Sequence, residues 1–224
     1  GNKKPQFMIQ DVQIKEWQLF DFRGKSQAAN WLTKVNVEDT SFIAFRQETI
    51  QLYTRSMPVT IDFVQNGQEL PTLKNSICIL DLPSDVTLLE QVLKAQLYER
   101  IYAHLYVPNS QYFIGMPTRE HFAWYYSFLK KRHTFNLKQH IQQLSQHIGL
   151  NIDVIKFMSK VFLELGFVTI ENGLITVIPS VEKKALTEAP SYKMRERQLQ
   201  LEQTLVYATY SELKMWFHER MLHE

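Results

Sequence analysis

Along the first half of the chain, from about residue 12 to residue 107, two kinds of segment alternate. Short segments are either apolar throughout or alternate apolar and polar residues, and amphipathic segments lie between them. Five of the short segments predict strands, at 17–22, 41–45, 60–64, 77–80 and 100–106. Helical patterns stand between several of them, around 25–35, 47–56 and 85–96. Because parallel pairing needs a crossover of about a dozen residues, this alternation predicts a small parallel three-layer α/β sheet in a domain spanning 10–108.

Beyond residue 108 the apolar spacing becomes helical. Thr118, which follows Pro117, is expected to cap a first helix whose inward positions are Phe122, Tyr125, Tyr126 and Leu129. A second helix is predicted up to Gly149, and a third from the cap Asn151 to Gly166. The chain then forms a β-hairpin around Asn172-Gly173, the strongest short hairpin signal.

Helix, helix and hairpin in this order are typical of a winged helix, a module that binds nucleic acid or protein partners. A last helical pattern, at about 192–221, is expected to extend it. We therefore predict an α/β protein with a second domain, 109–224, made of a winged helix and a C-terminal helix.

Composition and charge limit the classes of function that the chain can have. Apolar residues make up 45% of the chain, enough to fill real cores, and no run of about 18 apolar residues could span a bilayer. We expect a soluble, cytoplasmic protein without a membrane partner. Net charge is near neutral, but 119–160 holds seven basic residues (Arg119, Lys130, Lys131, Arg132, Lys138, Lys156 and Lys160) against two acidic ones (Glu120 and Asp153).

One segment resembles the end of a phosphate-binding loop. Arg23-Gly24-Lys25-Ser26 lies between a predicted strand and helix, but the full motif needs a glycine five residues before Gly24, where Leu19 stands. Asp81 likewise ends an apolar strand as a magnesium-binding Asp would, but it is followed by Leu82. These signals indicate a Rossmann-like, degenerate P-loop-like domain. Phosphate contact by Gly24, Lys25 and Ser26 is the functional alternative to a plain strand-to-helix turn.

No combination of residues predicts a catalytic or metal centre. His133, His140 and His147 recur every seven residues without a ligand three or four positions away, which favours a solvated helix face. Asp85, four residues after Asp81, is explained by helix capping. We therefore predict no catalytic residue, no metal ligand and no cofactor in this chain.

The concentrated positive charge suggests contact with a nucleic-acid backbone. Candidate contact residues are Lys130, Lys131, Arg132, Lys138, Lys156 and Lys160. A solvated helix end that complements the helix dipole is the alternative for the first three. Few side chains on the third helix suit base edges, which disfavours sequence-specific reading of DNA. Trp124 and Phe128, four residues apart, could present a surface to unpaired bases or to a partner.

Three strings carry a family resemblance: Trp17-Gln18-Leu19-Phe20-Asp21-Phe22-Arg23-Gly24-Lys25, Ile79-Leu80-Asp81-Leu82-Pro83, and Met116-Pro117-Thr118-Arg119-Glu120-His121-Phe122. From about residue 10 to its end, the chain resembles the C-terminal region of the RecJ exonucleases of Gram-positive bacteria. The resemblance implies a parent enzyme that degrades single-stranded DNA from 5′ to 3′ in DNA repair and recombination. The nuclease core of that family holds Mn or Mg with clustered Asp and His residues, whereas this chain has no Asp-His pair.

The resemblance therefore implies a noncatalytic, accessory region that helps an exonuclease engage single-stranded DNA. Its partners would be that DNA and the remainder of the exonuclease chain, and the start at Gly1 fits a piece of a larger protein. The alternative is a protein-docking module for a single-strand-binding protein, a helicase or another repair protein, with the last helix or the exposed aromatics as its surface. An enzyme in its own right is the third and least favoured interpretation.

Overall fold

The structure is a computed structural model that describes residues 16–25 and 29–221. Its strands are β1 Gln18–Asp21, β2 Thr40–Ala44, β3 Ile61–Phe63, β4 Ser76–Asp81, β5 Arg100–Tyr106, β6 Thr134–Asn136, β7 Val168–Glu171 and β8 Leu174–Val177. Its α-helices are α1 Gln47–Thr54, α2 Val86–Lys94, α3 Arg119–Arg132, α4 Leu137–Ile148, α5 Ile152–Glu164, α6 Pro190–Leu201 and α7 Tyr210–Met221. Short 3-10 helices occupy Ala29–Lys34 and Leu186–Glu188, and a π-helical segment occupies Glu202–Val206.

The chain divides into two compact units. The first comprises the described residues of Gly1–Pro108 and Leu205–Glu224, and the second is Asn109–Thr204. Residues 10–15 of the predicted first domain lie outside the described residues, as do residues 26–28 of the helix predicted at 25–35.

The first unit is built on a five-stranded parallel sheet. The strand order is β1-β5-β4-β2-β3, and every neighbouring pair runs parallel. Each predicted strand is present within two residues of its expected bounds, and the central strands β2, β4 and β5 are the most deeply buried. The predicted parallel α/β fold of this part of the chain is confirmed.

Buried apolar side chains project from both faces of this sheet. Alternate residues such as Phe42, Cys78 and Tyr102 pack with Trp31 of the first 3-10 helix and with Tyr53 of α1. The residues between them point the other way and are also buried: Ile43, Ile77, Ile79 and Ile101. Helices α2 and α7, which contact each other, carry further buried apolar side chains of this unit.

The last helix differs from the sequence prediction in two respects. Instead of one helix at 192–221 extending the second domain, the chain forms α6, the π-helical segment and α7, and α7 belongs to the first unit. A capping box at Thr209 restarts the helix, since Thr209 Oγ1 accepts the Glu212 N–H and Glu212 Oε2 accepts the Thr209 N–H. Buried Leu213 and Phe217 hold α7 in the first unit, and the Trp17 indole N–H donates to His218 Nδ1 at 3.0 Å.

The second unit contains, in order, α3, β6, α4, α5, β7, β8, the 3-10 helix Leu186–Glu188 and α6. Its antiparallel sheet has the order β6-β8-β7. The predicted hairpin is confirmed: Glu171 pairs with Leu174, and the two turn residues Asn172 and Gly173 have φ of 51° and 81°, as a type I′ turn requires. Strand β6, which the sequence analysis missed, adds a third strand beside β8.

The core of the second unit joins its helices to this small sheet. Tyr125 of α3, Leu144 of α4, Phe162 of α5 and Ile175 of β8 belong to one buried cluster. The predicted cap of α3 is confirmed, because Thr118 Oγ1 accepts the His121 N–H and His121 Nδ1 accepts the Thr118 N–H, both at 3.1 Å. This packing fixes the directions in which the polar faces of α3, α4 and α5 point.

Candidate nucleic-acid interface

The six cations predicted to contact nucleic acid lie on α3, α4 and α5, and all are exposed: Lys130, Lys131, Arg132, Lys138, Lys156 and Lys160. The first three form the last turn of α3, where they complement the negative end of the helix dipole. Lys138 lies in the first turn of α4, where the dipole disfavours a cation. The dipole therefore accounts for the α3 cluster but not for Lys138.

Carboxylates are scarce around this surface. Between Glu120 and Asp153 the sequence contains no Asp or Glu, so α4 carries none and α3 carries only Glu120. On α5, Glu164 caps the start of α6, since its carboxylate accepts the Ser191 N–H at 2.8 Å and the Ser191 hydroxyl at 2.7 Å. The exposed polar faces of α3 and α4 are therefore positively charged.

Two of the cations stack on aromatic rings of their own helix. The Arg132 guanidinium carbon lies 3.8 Å from the centre of the Phe128 ring, and Lys130 Nζ lies 4.9 Å from the centre of the Tyr126 ring. The Trp124 ring also stacks with Phe128, at 5.4 Å between centroids and with 20° between the planes. Two rings and a guanidinium, those of Trp124, Phe128 and Arg132, thus stack along α3 and are called the aromatic column below. Trp124 is 43% exposed.

The hairpin turn is held against the start of α4. The Leu137 N–H donates to the Gly173 carbonyl at 2.8 Å, and a Cβ at Gly173 would lie 2.5 Å from the Cβ of Lys138. Only glycine fits this close approach with a φ of 81°. Lys138 is therefore held beside the hairpin turn by backbone contact.

An open groove of about 980 Å³ lies beside α3, along the side of the helix that carries Lys130. Its walls come from α3, from Phe167 and from the segment that follows β8; they include Arg119, Tyr126, Lys130, Phe167, Lys183 and Lys184. The sequence analysis did not propose Arg119, Lys183 or Lys184 as contact residues. Lys183-Lys184 is a visible basic pair, but only the return of this segment beside α3 brings it to the groove.

The Gly24-Lys25 turn is hydrogen-bonded to another residue of the first unit. Gly24 is exposed with a φ of 73°, and the carbonyl of Lys25 accepts a hydrogen bond from His104 Nε2 at 3.1 Å. His104 Nδ1 lies 2.9 Å from the Tyr53 hydroxyl, and burial lowers the pKa of His104. Ser26 lies outside the described residues, so phosphate contact at this turn stays a prediction.

Arg23, the first residue of the Arg23-Gly24-Lys25-Ser26 segment, stabilises the fold of the first unit. Its guanidinium forms two hydrogen bonds with the Asp21 carboxylate, at 2.9 and 2.8 Å. Its Nη1 also donates to the carbonyls of Leu205, Val206 and Ala208, at 2.6, 3.2 and 2.8 Å. Burial alone would raise the pKa of Asp21, but the hydrogen bonds and charge of Arg23 bring it below its usual value. Arg23 thus caps the end of the π-helical segment.

Asp81 is fully buried and engaged by backbone groups. Its carboxylate accepts the N–H of Phe45 at 2.7 Å and the N–H of Arg46 at 3.0 Å. Burial raises the pKa of Asp81 to about 6, although these hydrogen bonds oppose the shift. The predicted cap Asp85 is confirmed, since its side chain accepts the Thr87 N–H at 3.0 Å. Asp81 therefore resembles a magnesium-binding residue only in sequence position.

Within residues 16–25 and 29–221, no three His, Cys, Asp or Glu side chains converge as a metal site would require. His133 and His147 are exposed, and His140 is half-buried against Phe135. No helix among the described residues is both long enough and apolar enough to cross a bilayer.

Comparison with known proteins identifies the family of the chain. Residues 18–217 match the family described as "Single-strand DNA-specific exonuclease, C terminal domain". The chain belongs to this family. It is also 34% identical over 226 residues to the single-stranded-DNA-specific exonuclease RecJ of Bacillus subtilis (strain 168). The match covers 99% of this chain and 29% of that relative, in its C-terminal part.

This family membership confirms the resemblance predicted from the three sequence strings. Because the chain spans less than a third of the RecJ relative, it corresponds to the C-terminal domain of such an exonuclease. No solved structure matches the chain.

Proposed function

We propose that this domain is a noncatalytic accessory region that helps a single-stranded-DNA-specific exonuclease engage its substrate. The observation that carries the proposal is the exposed positive charge of α3 and α4, on which Glu120 is the only carboxylate. The backbone of a single strand is a line of phosphates, and such a surface attracts it without reading its sequence. Bond cleavage would belong to a nuclease core elsewhere in the parent protein, which is expected to use Mn or Mg.

The second unit would act as a winged helix. The order α3, β6, α4, α5, β7 and β8 supports this assignment, with α5 in the position of the helix that usually enters a groove and the β7-β8 hairpin as the wing. Lys138 beside the hairpin turn and Lys156 and Lys160 on α5 would then lie on the elements that contact a nucleic-acid backbone. A cytoplasmic location fits the proposed DNA substrate.

A titration of the 224-residue chain with a fluorescein-labelled 20-nucleotide oligothymidylate tests this proposal. The test variant replaces the six cations Lys130, Lys131, Arg132, Lys138, Lys156 and Lys160 with Gln. A matched control replaces six exposed cations elsewhere: Lys34, Arg55, Lys74, Lys94, Lys193 and Arg197. If all six contact phosphates, the slope of log K against log salt should become shallower by about 4, because each contact on a single strand contributes about 0.7.

The control variant should keep most of the affinity of the unmodified chain. Equal losses in the two variants would mean that only total charge matters, and unchanged binding in the test variant would remove the proposal. Titration of a duplex of the same length measures the preference for single strands.

A protein-docking module is the second candidate. Large apolar side chains are exposed in each unit, including Met215 of α7 in the first and Met194 of α6 in the second. A single-strand-binding protein, a helicase or another repair protein could be the partner. Affinity capture of such proteins by the chain, abolished by Met215→Lys or Met194→Lys and retained by the six-cation variant, would favour this candidate over DNA engagement.

A further inference from the structure

We propose that the groove beside α3 binds a single-stranded nucleic acid, with Arg119, Lys130, Lys183 and Lys184 on its phosphates and Tyr126 and Phe167 against its bases. This inference rests on the proposed function and adds a defined path for the strand. The groove measures about 980 Å³. It lies at the upper end of the range of ligand sites, about 300–1,000 Å³, so it offers room for more than one base.

One stripe of α3 forms the first wall. Arg119, Tyr126 and Lys130 are seven and four residues apart, which places them on the same side of the helix. Arg119 and Lys130 are exposed, whereas the half-buried Tyr126 lies at the edge of the core, against Phe162 and beside the buried Phe122, Tyr125 and Leu129. The wall therefore presents a cation at each end and a tyrosine between them.

The segment after β8 forms the opposite wall. It runs from Ile178 to Ala185 and carries Lys183 and Lys184, which are exposed. Glu182 is the only carboxylate among the groove residues, against four Lys and Arg side chains. A concave surface with one predominant sign of charge concentrates the field and attracts a polyanion.

The floor supplies apolar and aromatic surface. The Tyr126 and Phe167 rings lie 5.3 Å apart, tilted by 35°, and both are half-buried. Val177, Ile178 and Val181 complete this apolar part. The flat faces of unpaired bases suit such a floor, whereas a duplex keeps its bases stacked inside. The combination of cations and rings therefore favours a single strand over a duplex.

The test uses the 224-residue chain with Lys183→Gln and Lys184→Gln, two residues outside the six-cation surface. The matched control is Lys193→Gln with Arg197→Gln, two exposed cations of α6 in the same unit. The probe is a fluorescein-labelled 12-nucleotide oligothymidylate. We expect the groove variant to bind about tenfold more weakly at low salt, with a salt slope shallower by about 1.4, since each lost contact removes about 0.7. The control should change little.

A second measurement is independent of any substitution. Photo-crosslinking of an oligonucleotide that carries 4-thiothymidine, followed by mass spectrometry, should place the crosslinks on Tyr126, Phe167 or the peptide 177–185. Crosslinks confined to other surfaces would overturn the inference.

The outcomes separate this inference from the proposed function. If the six-cation variant loses binding but the groove variant does not, the groove proposal fails and the proposed function stands. If the unmodified chain does not bind the oligonucleotide, both fail. Displacement of the probe by a 12-residue oligoglutamate as effectively as by unlabelled oligothymidylate would assign the groove to acidic peptides and overturn the inference.

Discussion

Asp81 accepts the backbone N–H of Phe45 at 2.7 Å, and this hydrogen bond joins the carboxyl ends of β4 and β2. These two strands are neighbours at the point where the chain changes direction across the sheet: after β2 it moves outward to β3, and after β4 it moves to β5 on the other side. In open α/β sheets this crevice commonly holds a ligand. Here the Asp81 carboxylate accepts the N–H groups of Phe45 and Arg46, which precede α1.

The raised pKa of Asp81 predicts a dependence of stability on pH. An unfolded Asp81 loses its proton near pH 4, whereas the folded group keeps it to about pH 6, so the folded state binds more protons in this window. The free energy of unfolding should therefore fall by about 2 kcal/mol relative to an Asp81→Asn variant between pH 4 and pH 7. Urea unfolding of both proteins across this range measures the difference, and a constant difference would contradict the assigned pKa.

The hairpin turn offers a test of backbone packing. Gly173→Ala should destabilise the second unit because the new Cβ meets Lys138 Cβ and because φ is 81° there. Gly149→Ala is the matched control, with a φ of 68° and no atom within 4 Å of the new Cβ. We expect a loss of about 1 kcal/mol for the control and of about 2–4 kcal/mol for Gly173→Ala. Equal losses in thermal or urea unfolding would show that the turn shifts freely away from α4.

Arg23 should be more important for stability than its sequence context suggests. Lysine keeps the charge but cannot bond Asp21 in a fork while also donating to three carbonyls, so Arg23→Lys should cost about 3 kcal/mol. The control Arg55→Lys replaces an exposed arginine of the same unit and should stay within about 0.5 kcal/mol of the unmodified chain. Urea unfolding measures both, and equal stability of the two variants would remove the capping role of Arg23.

Features determined by local pattern were predictable from the sequence. The five parallel strands follow from apolar runs, which are buried in the central strands β2, β4 and β5 and only partly buried in the edge strands β1 and β3, and the β7-β8 turn follows from Asn172-Gly173. Thr209 and Glu212 also form a local signal, the Thr-x-x-Glu of a capping box, which would have divided the last helix had it been used. Strand β6 has only three residues, too few for periodicity to reveal, and it exists because β8 pairs with it.

The candidate site was predictable only in part, because the sequence pattern indicates local features but not contacts between distant segments. The exposed cations of α3, α4 and α5 follow from charge and helical spacing, and all six lie on polar faces as expected. The groove depends on the segment 178–185 returning beside α3, which no local pattern specifies. Likewise, the contacts of Arg23 with Leu205 and Ala208 join positions about 180 residues apart. The sequence around Arg23 therefore does not distinguish a phosphate-binding loop from a residue that caps a distant helix.

The aromatic column on α3 gives a prediction that differs from those for the cations in the expected dependence of binding on salt. If an unpaired base stacks on Trp124, Trp124→Leu should weaken binding of an oligothymidylate by about 1–3 kcal/mol, because a flat ring is lost. The slope of log K against log salt should not change, since no phosphate contact is removed. Trp216→Leu is the matched control, a tryptophan that carries its own stacked cation, Arg220, at 3.6 Å in the first unit. Fluorescence anisotropy at several salt concentrations distinguishes the outcomes: a changed slope would mean that Trp124 acts through the neighbouring cations, and unchanged affinity would exclude stacking at this ring.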